Sequence, residues 1–170
     1  MSMPISRPAL ETRSLESDVT PALSFVIPMY NSAATIAALV HDIEQLSVPG
    51  GHEIVLVNDC GRDNTLEVCA ELVRTARVPI TLVDHARNFG EHNAVLTGWR
   101  HAQGTHIVNL DDDGQNPPRE ALRLWQHALV SGMDVVFGHY DVKQHSAWRN
   151  AGSRDISFGA PTGRWLAAAD

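Results

Sequence analysis

Short apolar runs alternate along this chain with segments whose apolar residues recur every three or four positions. Residues 23–28 and 53–57 are two such runs, and each has the length of a buried strand. Between them Ile36 and Val40 follow helical spacing, and Ser32 is predicted to cap that helix. The other runs are 79–83, 105–110 and 134–138. This alternation predicts an α/β domain with a mostly parallel, Rossmann-like sheet flanked by helices.

The length and net charge of the chain indicate one domain and argue against nucleic-acid binding. The chain has 170 residues, 44% of them hydrophobic, which is enough for one domain with a sizeable core. Its net charge of −7 argues against a nucleic-acid partner, because phosphate binding relies on Lys and Arg. No apolar run approaches the roughly 20 residues that span a bilayer. We predict a cytoplasmic domain at 22–154, after a flexible leader at 1–21. Residues 155–170 are expected to form a tail of uncertain structure and not another βα unit.

The cysteines and histidines do not indicate a metal or redox centre. Cys60 and Cys69 form neither a CxxC pair nor a recognisable zinc spacing, so we predict two reduced cysteines that pack inside the domain. The nine histidines fall in no metal-ligand pattern.

Polar side chains follow four of the predicted strands in succession. Ligands of open α/β sheets bind beyond the carboxyl ends of the strands, so these side chains are the candidates for a site. They are Pro28, Tyr30 and Asn31, then Asn58 and Asp59, then Arg87, Asn88 and Gly90, and finally Asp111, Asp112, Asp113 and Gln115. A turn or a helix start would explain each one alone. Their joint occurrence at successive strand ends favours a binding cleft.

The acidic run after the fourth strand is the sharpest of these features. Residues two apart on an extended chain point to the same side, so Asp111 and Asp113 can present two carboxylates to one cation. Oxygen ligands select a hard metal, Mg²⁺ or Mn²⁺, and Gln115 could add a neutral oxygen. The alternative is a solvated turn that begins a helix, which Asp, Gly, Asn and Pro also favour.

Five segments resemble motifs of the family 2 glycosyltransferases. Residues 26–31, VIPMYN, resemble the family's VIPxYN, and residues 57–65, VNDCGRDNT, resemble V(D/N)D(G/C)SxDxT. Residues 87–94, RNFGEHNA, resemble RNxGxxxA, and residues 111–118, DDDGQNPP, resemble DxDLQxPP. Residues 149–153, RNAGS, resemble the RxxxS of the dolichol- and undecaprenyl-phosphate sugar transferases. All five occur in register between residues 23 and 154.

This resemblance implies a GT-A fold and a defined reaction. The enzyme would move a sugar from a nucleotide-diphospho-sugar to an acceptor, a polyprenyl phosphate, with inversion at the anomeric carbon. It would use Mg²⁺ or Mn²⁺ and work in the cytoplasm, peripherally at the inner face of the membrane. An alternative within the family is a nucleotide-sugar-binding domain without turnover.

The resemblance also implies roles for individual residues. The nucleotide sugar would be bound by Pro28, Tyr30, Asn31, Asp59, Arg87, Asp111 and Asp112. The metal would be held by Asp111, Asp113 and Gln115, the acceptor by Arg149 and Ser153, and catalysis would depend on Asp113 and Arg149. Asp59 would hydrogen-bond the base, and we expect Asp59→Ala to weaken nucleotide binding while the fold stays intact.

The chain departs from the family pattern at several positions. Ser32 stands where the family commonly has Glu, and Gly114 replaces a usual Leu. His139 and Tyr140 stand where Gly-x-Arg is frequent, and the similarity stops near Arg154. We therefore expect a GT-A domain that is incomplete at its C-terminus and transfers sugar slowly by itself.

Two function classes outside this family explain the sequence less well. A dinucleotide-binding oxidoreductase needs a GxGxxG turn after its first strand, and none is present. A phosphoacceptor receiver domain would have an acidic pair after the first strand, where this chain has Pro28 and Tyr30. It would also have a Lys at the end of the fifth strand, whereas the first Lys of that region is Lys143.

Overall fold

The computed structural model describes residues 10–13, 20–138 and 164–168. Its strands are β1 (Leu10–Arg13), β2 (Leu23–Met29), β3 (His52–Asn58), β4 (Ile80–Asp84), β5 (His106–Asn109), β6 (Val135–Gly138) and β7 (Arg164–Ala168). Its helices are α1 (Ile36–Glu44), α2 (Thr65–Thr75), α3 (Glu91–His101) and α4 (Pro118–Ser131). Within these described segments, no helix combines the length and apolar character required to cross a bilayer.

The strands form one sheet in the order β1-β4-β3-β2-β5-β7-β6. Every neighbouring pair is parallel except β1 and β4, which are antiparallel. Met29 pairs with Asn58, and Asn58 pairs with Asp84, so β2, β3 and β4 end level with one another. Asn109 of β5 pairs with Val26, and the chain beyond β5 therefore runs beside the end of β2. The loops that follow these four strands consequently meet at one edge of the sheet.

The apolar runs are continuous because the central strands are covered on both faces. Phe25 and Ile27 of β2 face a large core that helices α1, α2 and α4 complete, and both side chains are fully buried. Val26 points to the opposite face, where it packs with Val55 and Ala94. Alternate residues of a strand point to opposite faces, so a strand covered on both sides needs apolar residues at every position.

Helix α3 lies very close to the sheet. A Cβ atom on Gly98 would stand 2.3 Å from Cγ1 of Val26, so the helix can approach β2 this closely only where it carries glycine. This contact fixes the position of α3, and its first turn reaches the edge where the strands end. The helix begins after Gly90, whose φ of +89° is a conformation that other residues rarely adopt.

The structure adds two strands that the sequence analysis did not predict. β1 lies inside the predicted leader and pairs with β4 at one edge of the sheet. β7 lies inside the predicted tail, for which no structure had been predicted, and inserts between β5 and β6. Both segments are short, and their pairing partners are distant in sequence, so local periodicity carries little signal for them. The division of the chain into leader, domain and tail stays a prediction.

Candidate functional site

A cleft of about 390 Å³ opens at the carboxyl ends of the strands. It is lined by Pro28, Met29 and Tyr30 from β2 and its loop, Asp59 after β3, Asn88, Gly90, Glu91 and Ala94 around the start of α3, and Asp111, Asp112 and Asp113 after β5. The structure thus brings together Pro28, Tyr30, Asp59, Asp111, Asp112 and Asp113 from the predicted site.

Three predicted site residues do not line this cleft. The side-chain oxygen of Asn31 accepts a hydrogen bond from the Arg62 amide at 2.6 Å. The Arg87 guanidinium lies over the ring of Phe89, 4.7 Å from its centre. Gln115 is exposed. The predicted acceptor residues Arg149 and Ser153 lie outside the described residues.

The cleft also contains residues that the sequence analysis did not select. Met29, Glu91 and Ala94 line it together with Asn88 and Gly90. The sequence predicts that Asn88 and Gly90 follow a strand end, but it assigns them no binding role. A sequence signal for Glu91 was available, because a helix that starts directly after a strand end presents its first turn at the same edge of the sheet. Ala94 gave no such signal, since a small residue on a helix face normally indicates packing.

Asp59 is a buried anchor for the loop between β4 and α3. The residue is 3% exposed. Its Oδ1 accepts hydrogen bonds from the Phe89 amide at 2.8 Å and lies 2.8 Å from Nδ1 of His85, and its Oδ2 accepts from the Gly90 amide at 2.7 Å. Nε2 of His85 in turn lies 3.0 Å from Oγ1 of Thr97 on α3. One carboxylate therefore connects the end of β3 to the loop and the helix on the other side of the cleft.

These contacts correct the expectation that Asp59 contributes little to the fold. A carboxylate offers about four acceptor positions, and protein groups already occupy three of them. Removing the carboxylate would take this acceptor from the partly buried Phe89 amide and from the buried His85 ring, whereas the Gly90 amide would keep Oδ1 of Asn88 at 3.1 Å. Losing the acceptor of a buried polar group lowers the stability of the fold. A hydrogen bond from a nucleotide base to Asp59 stays a prediction, and one acceptor position of the carboxylate is left for it.

Side chains also connect the loops after β2 and β3. The Ala33 amide donates to Oδ2 of Asp63 at 3.1 Å, and the Ser32 amide donates to Oγ1 of Thr65 at 2.7 Å. The hydroxyl of Thr65 donates to Asp63, and this hydrogen bond holds the pKa of the Asp63 carboxyl below its usual range. An ordinary aspartate is already ionised at neutral pH, so the lowered pKa lets Asp63 keep the two loops together to a lower pH.

The three carboxylates after β5 are held by different partners. Oδ2 of Asp111 accepts a hydrogen bond from Nδ2 of Asn116 at 3.2 Å. Oδ1 of Asp113, which is exposed, accepts from the Gln115 amide at 3.0 Å. Oδ2 of Asp112 instead contacts the loop after β2, where the Ser32 hydroxyl and the Tyr30 amide donate to it.

The position of Ser32 also corrects its predicted role as a helix cap. Helix α1 begins at Ile36 with Thr35 as its N-cap residue. The carbonyl oxygen of Ser32 accepts the amides of Thr35 and Ile36, both at 3.0 Å, but its hydroxyl is directed to Asp112. Local spacing could not reveal this, because Asp112 lies 80 residues further along the chain.

The donor set at the cleft fits a hard divalent cation that substrate helps to bind. Among the described residues there is no group of three His, Cys, Asp or Glu side chains placed to hold a metal ion. Asp111 and Asp113 nevertheless both line the cleft. Mg²⁺ is usually held by one or two carboxylates together with substrate phosphates, so two carboxylates without a complete protein cage match that requirement.

The two cysteines differ in environment, and we expect them to differ in reactivity. Cys60 is half-buried, whereas Cys69 is buried with its Sγ 3.7 Å from Sδ of Met29. Burial raises the pKa of the Cys69 thiol to about 12, so almost none of it is the reactive thiolate near pH 8. Titration with Ellman's reagent should detect Cys60 alone in the native chain and both thiols in denaturant. Rapid reaction of both thiols in the native chain would contradict this assignment.

The chain matches the family model described as Glycosyl transferase family 2 over residues 24–167. Its curated relatives include undecaprenyl-phosphate 4-deoxy-4-formamido-L-arabinose transferases. The enzyme of Pseudomonas paraeruginosa is 36% identical over 138 residues, which cover 80% of this chain and 40% of the relative. The enzyme of Yersinia pestis is 34% identical over 138 residues, which cover 80% of this chain and 42% of the relative. The chain thus spans about 40% of the length of the curated relatives it matches.

Solved structures share the fold. S. aureus TarS, residues 1–349, superposes with a TM-score of 0.61 at 19% identity, over 73% of this chain and 37% of TarS. The complex of TarS with UDP-GlcNAc superposes with a TM-score of 0.56 at 20% identity, over 73% of this chain and 36% of TarS. These likenesses confirm the predicted GT-A fold with its mostly parallel sheet. The family match and the similarity to the curated transferases show that this chain belongs to glycosyl transferase family 2.

Proposed function

We propose that the cleft binds a nucleotide-diphospho-sugar and that the chain forms the donor-binding part of an inverting glycosyltransferase. The observation that carries this proposal is the convergence of Pro28 and Tyr30, Asp59, and the Asp111–Asp113 run at one edge of the sheet. Ligands of open α/β sheets bind at this edge. TarS, which shares the fold, has been solved with UDP and with UDP-GlcNAc.

The nucleoside would lie between the loops that follow β2, β3 and β4. Tyr30 is 47% exposed at the cleft and offers an aromatic face to a base, and Pro28 lines the cleft next to it. Asp59 would accept one hydrogen bond from the base while it holds the loop at Phe89 and Gly90. Arg87 is exposed over the Phe89 ring, so its guanidinium is placed near the loop that the nucleotide would meet.

The diphosphate would lie at the acidic run together with Mg²⁺ or Mn²⁺. Asp111 and Asp113 would hold the ion, and the exposed Gln115 would add a neutral oxygen ligand. When bound, the ion neutralises charge on the diphosphate leaving group. The carboxylates orient the ion, while the loops held by Asp59 and Asp63 keep the donor in a fixed position.

For the acceptor we propose a polyprenyl phosphate at the cytoplasmic face of the membrane. The curated relatives are named as undecaprenyl-phosphate sugar transferases. A phosphate acceptor is already ionised at neutral pH, so it needs cationic groups that position it more than it needs a strong base. Arg149 and Ser153 are our candidates for positioning the acceptor phosphate. Asp113 would contribute to catalysis from the other substrate, by holding the metal at the donor diphosphate.

A calorimetric screen of UDP-, GDP- and dTDP-sugars with Mn²⁺ tests the donor proposal. We expect one base to bind at least about tenfold more tightly than the others, a difference of about 1.4 kcal/mol. Absence of binding by all three would refute the proposal. Radiolabelled donor and undecaprenyl phosphate in detergent then test transfer, and tight donor binding without lipid-linked product would favour the binding domain without turnover.

A further inference from the structure

His85 is a buried histidine that the proposed function does not yet use. It directly follows β4, and it is 9% exposed. Its amide donates to the carbonyl oxygen of Asn58 at 2.9 Å, which continues the pairing of β3 with β4 past the last residue of the strand. The sheet therefore fixes the backbone position from which the imidazole extends.

Both ring nitrogens of His85 have partners. Nδ1 lies 2.8 Å from Oδ1 of Asp59, and Nε2 lies 3.0 Å from Oγ1 of Thr97 on α3. The ring of Phe89 packs edge-on against the imidazole, with the ring centres 5.2 Å apart and the planes at 89°. These three contacts hold the imidazole in one orientation between the end of β3 and helix α3.

The partners of Asp59 determine which ring nitrogen of His85 carries the proton. The carboxylate accepts the Phe89 amide at Oδ1 and the Gly90 amide at Oδ2, so it acts as an acceptor through both oxygens. Nδ1 of His85 must then be the donor to it. In the neutral ring Nε2 is an acceptor, and the hydroxyl of Thr97 donates to it. Thr97 thereby favours the tautomer that Asp59 requires, because the hydrogen bond at one ring nitrogen sets the protonation of the other.

His85 differs from the other two donors to Asp59 in what supports it. The amides of Phe89 and Gly90 lie within the loop between β4 and α3, so their positions depend on that loop. His85 is supported by the sheet through its backbone and by α3 through Thr97. A polar group built on strands and helices is held more precisely than one built on a loop. His85 is therefore the donor that fixes the plane of the Asp59 carboxylate.

The plane of this carboxylate determines the direction of its last acceptor position. Oδ1 accepts two hydrogen bonds and Oδ2 accepts one, so a position on Oδ2 is left, and Asp59 lines the cleft. We propose that His85 is the positioning residue that directs this acceptor position to the nucleotide base, and that Thr97 holds the ring in the required tautomer. The inference rests on the proposed function, since it assumes that a base donates a hydrogen bond to Asp59. It adds to that function two residues that do not line the cleft.

Two substitutions at His85 separate its two hydrogen bonds. The side-chain amide nitrogen of asparagine can occupy the place of Nδ1, so His85→Asn keeps the donor to Asp59 and loses the contact with Thr97. The amide nitrogen of glutamine reaches the place of Nε2, so His85→Gln keeps the contact with Thr97 and loses the donor to Asp59. Thr97→Val removes only the hydroxyl that holds the tautomer.

Calorimetry in Mn²⁺ compares these variants with two ligands. One is the preferred nucleotide among UDP, GDP and dTDP, and the other is inorganic pyrophosphate, which has no base. We expect His85→Gln to weaken nucleotide binding about tenfold, the effect of a misplaced hydrogen bond to a charged group, and to leave pyrophosphate binding unchanged. His85→Asn should stay within about threefold of the unmodified chain for both ligands, and Thr97→Val should lie between the two. Thermal melting checks that each variant is folded.

Nitrogen-15 NMR of the imidazole tests the tautomer in the unmodified chain without any ligand. The ring signals of His85 are assigned by through-bond correlation to its backbone. We expect the proton on Nδ1, and the preferred nucleotide should shift the Nδ1 resonance while pyrophosphate leaves it in place. A neutral ring with its proton on Nε2 would overturn the inference, even if every variant failed to fold.

Three calorimetric results would overturn the inference while the proposed function stands. Unchanged nucleotide affinity in His85→Gln would show that the ring does not position Asp59 for the base. Equal weakening of nucleotide and pyrophosphate binding would show that His85 only maintains the shape of the cleft. Equal losses in His85→Gln and His85→Asn would show that the hydrogen bond to Asp59 is not the cause. Absence of nucleotide binding by the unmodified chain would overturn the proposed function itself, and this inference with it.

Discussion

Replacing Asp59 with alanine is expected to destabilise the folded chain by about 2–4 kcal/mol. The residue is 3% exposed, and its two carboxylate oxygens are shared by the amides of Phe89 and Gly90 and by the ring of His85. A buried polar group that loses its hydrogen-bond partner costs about 1–3 kcal/mol. The His85 ring and the partly buried Phe89 amide lose their partner here, while the Gly90 amide keeps Oδ1 of Asn88, so the mutation should rank among the more destabilising single changes at the cleft.

Urea denaturation followed by circular dichroism measures this loss. Asp42→Ala is a matched control, since Asp42 is an exposed aspartate on α1, and its effect should stay within about 0.5 kcal/mol. Asp59→Asn keeps the shape and one acceptor oxygen, so it should lie between the alanine variant and the unmodified chain. If Asp59→Ala were as stable as the unmodified chain and lost only nucleotide affinity, base recognition would be its main role.

The sequence predicted the central part of the fold because its signals are local. The run from Ile54 to Val57 is apolar at every position, since β3 is covered by helices on both faces. A continuous apolar run of this length is enough to predict a buried strand from the sequence. The polar residue that follows it indicates the edge of the sheet where ligands bind. Pro28, Tyr30, Asp59 and the residues from Asp111 to Asp113 could be brought to one cleft by that reasoning alone.

The partners of these side chains could not be predicted in the same way. The residues that contact Asp59 follow it by 26, 30 and 31 positions, and Ser32 precedes Asp112 by 80. Such contacts depend on how α3 and the loops pack, which the close approach of Gly98 to Val26 determines. The sequence therefore indicated which residues reach the cleft, but not which of them hold one another.

Asp113→Ala is expected to abolish the effect of divalent cations on nucleotide binding. In the unmodified chain we expect Mn²⁺ to strengthen binding of the preferred nucleoside diphosphate at least about tenfold over EDTA, or about 1.4 kcal/mol. The reason is electrostatic, because a diphosphate placed against the carboxylates of Asp111, Asp112 and Asp113 is repelled unless a cation lies between them. Asp113 is exposed, and only its Oδ1 accepts a hydrogen bond within residues 20–138, so its Oδ2 is available to a cation there.

Calorimetry in Mn²⁺ and in EDTA checks this, with Glu120→Ala as the control. Glu120 is an acidic residue of α4 that pairs with Arg123 and does not line the cleft, so its removal should leave the cation effect unchanged. Without Asp113 the repulsion falls, and the nucleotide should bind in EDTA at least as well as before. Equal affinities of the unmodified chain in Mn²⁺ and EDTA would contradict the metal site. The acidic run would then be a turn that stabilises the start of α4, because carboxylates also favour helix N-termini.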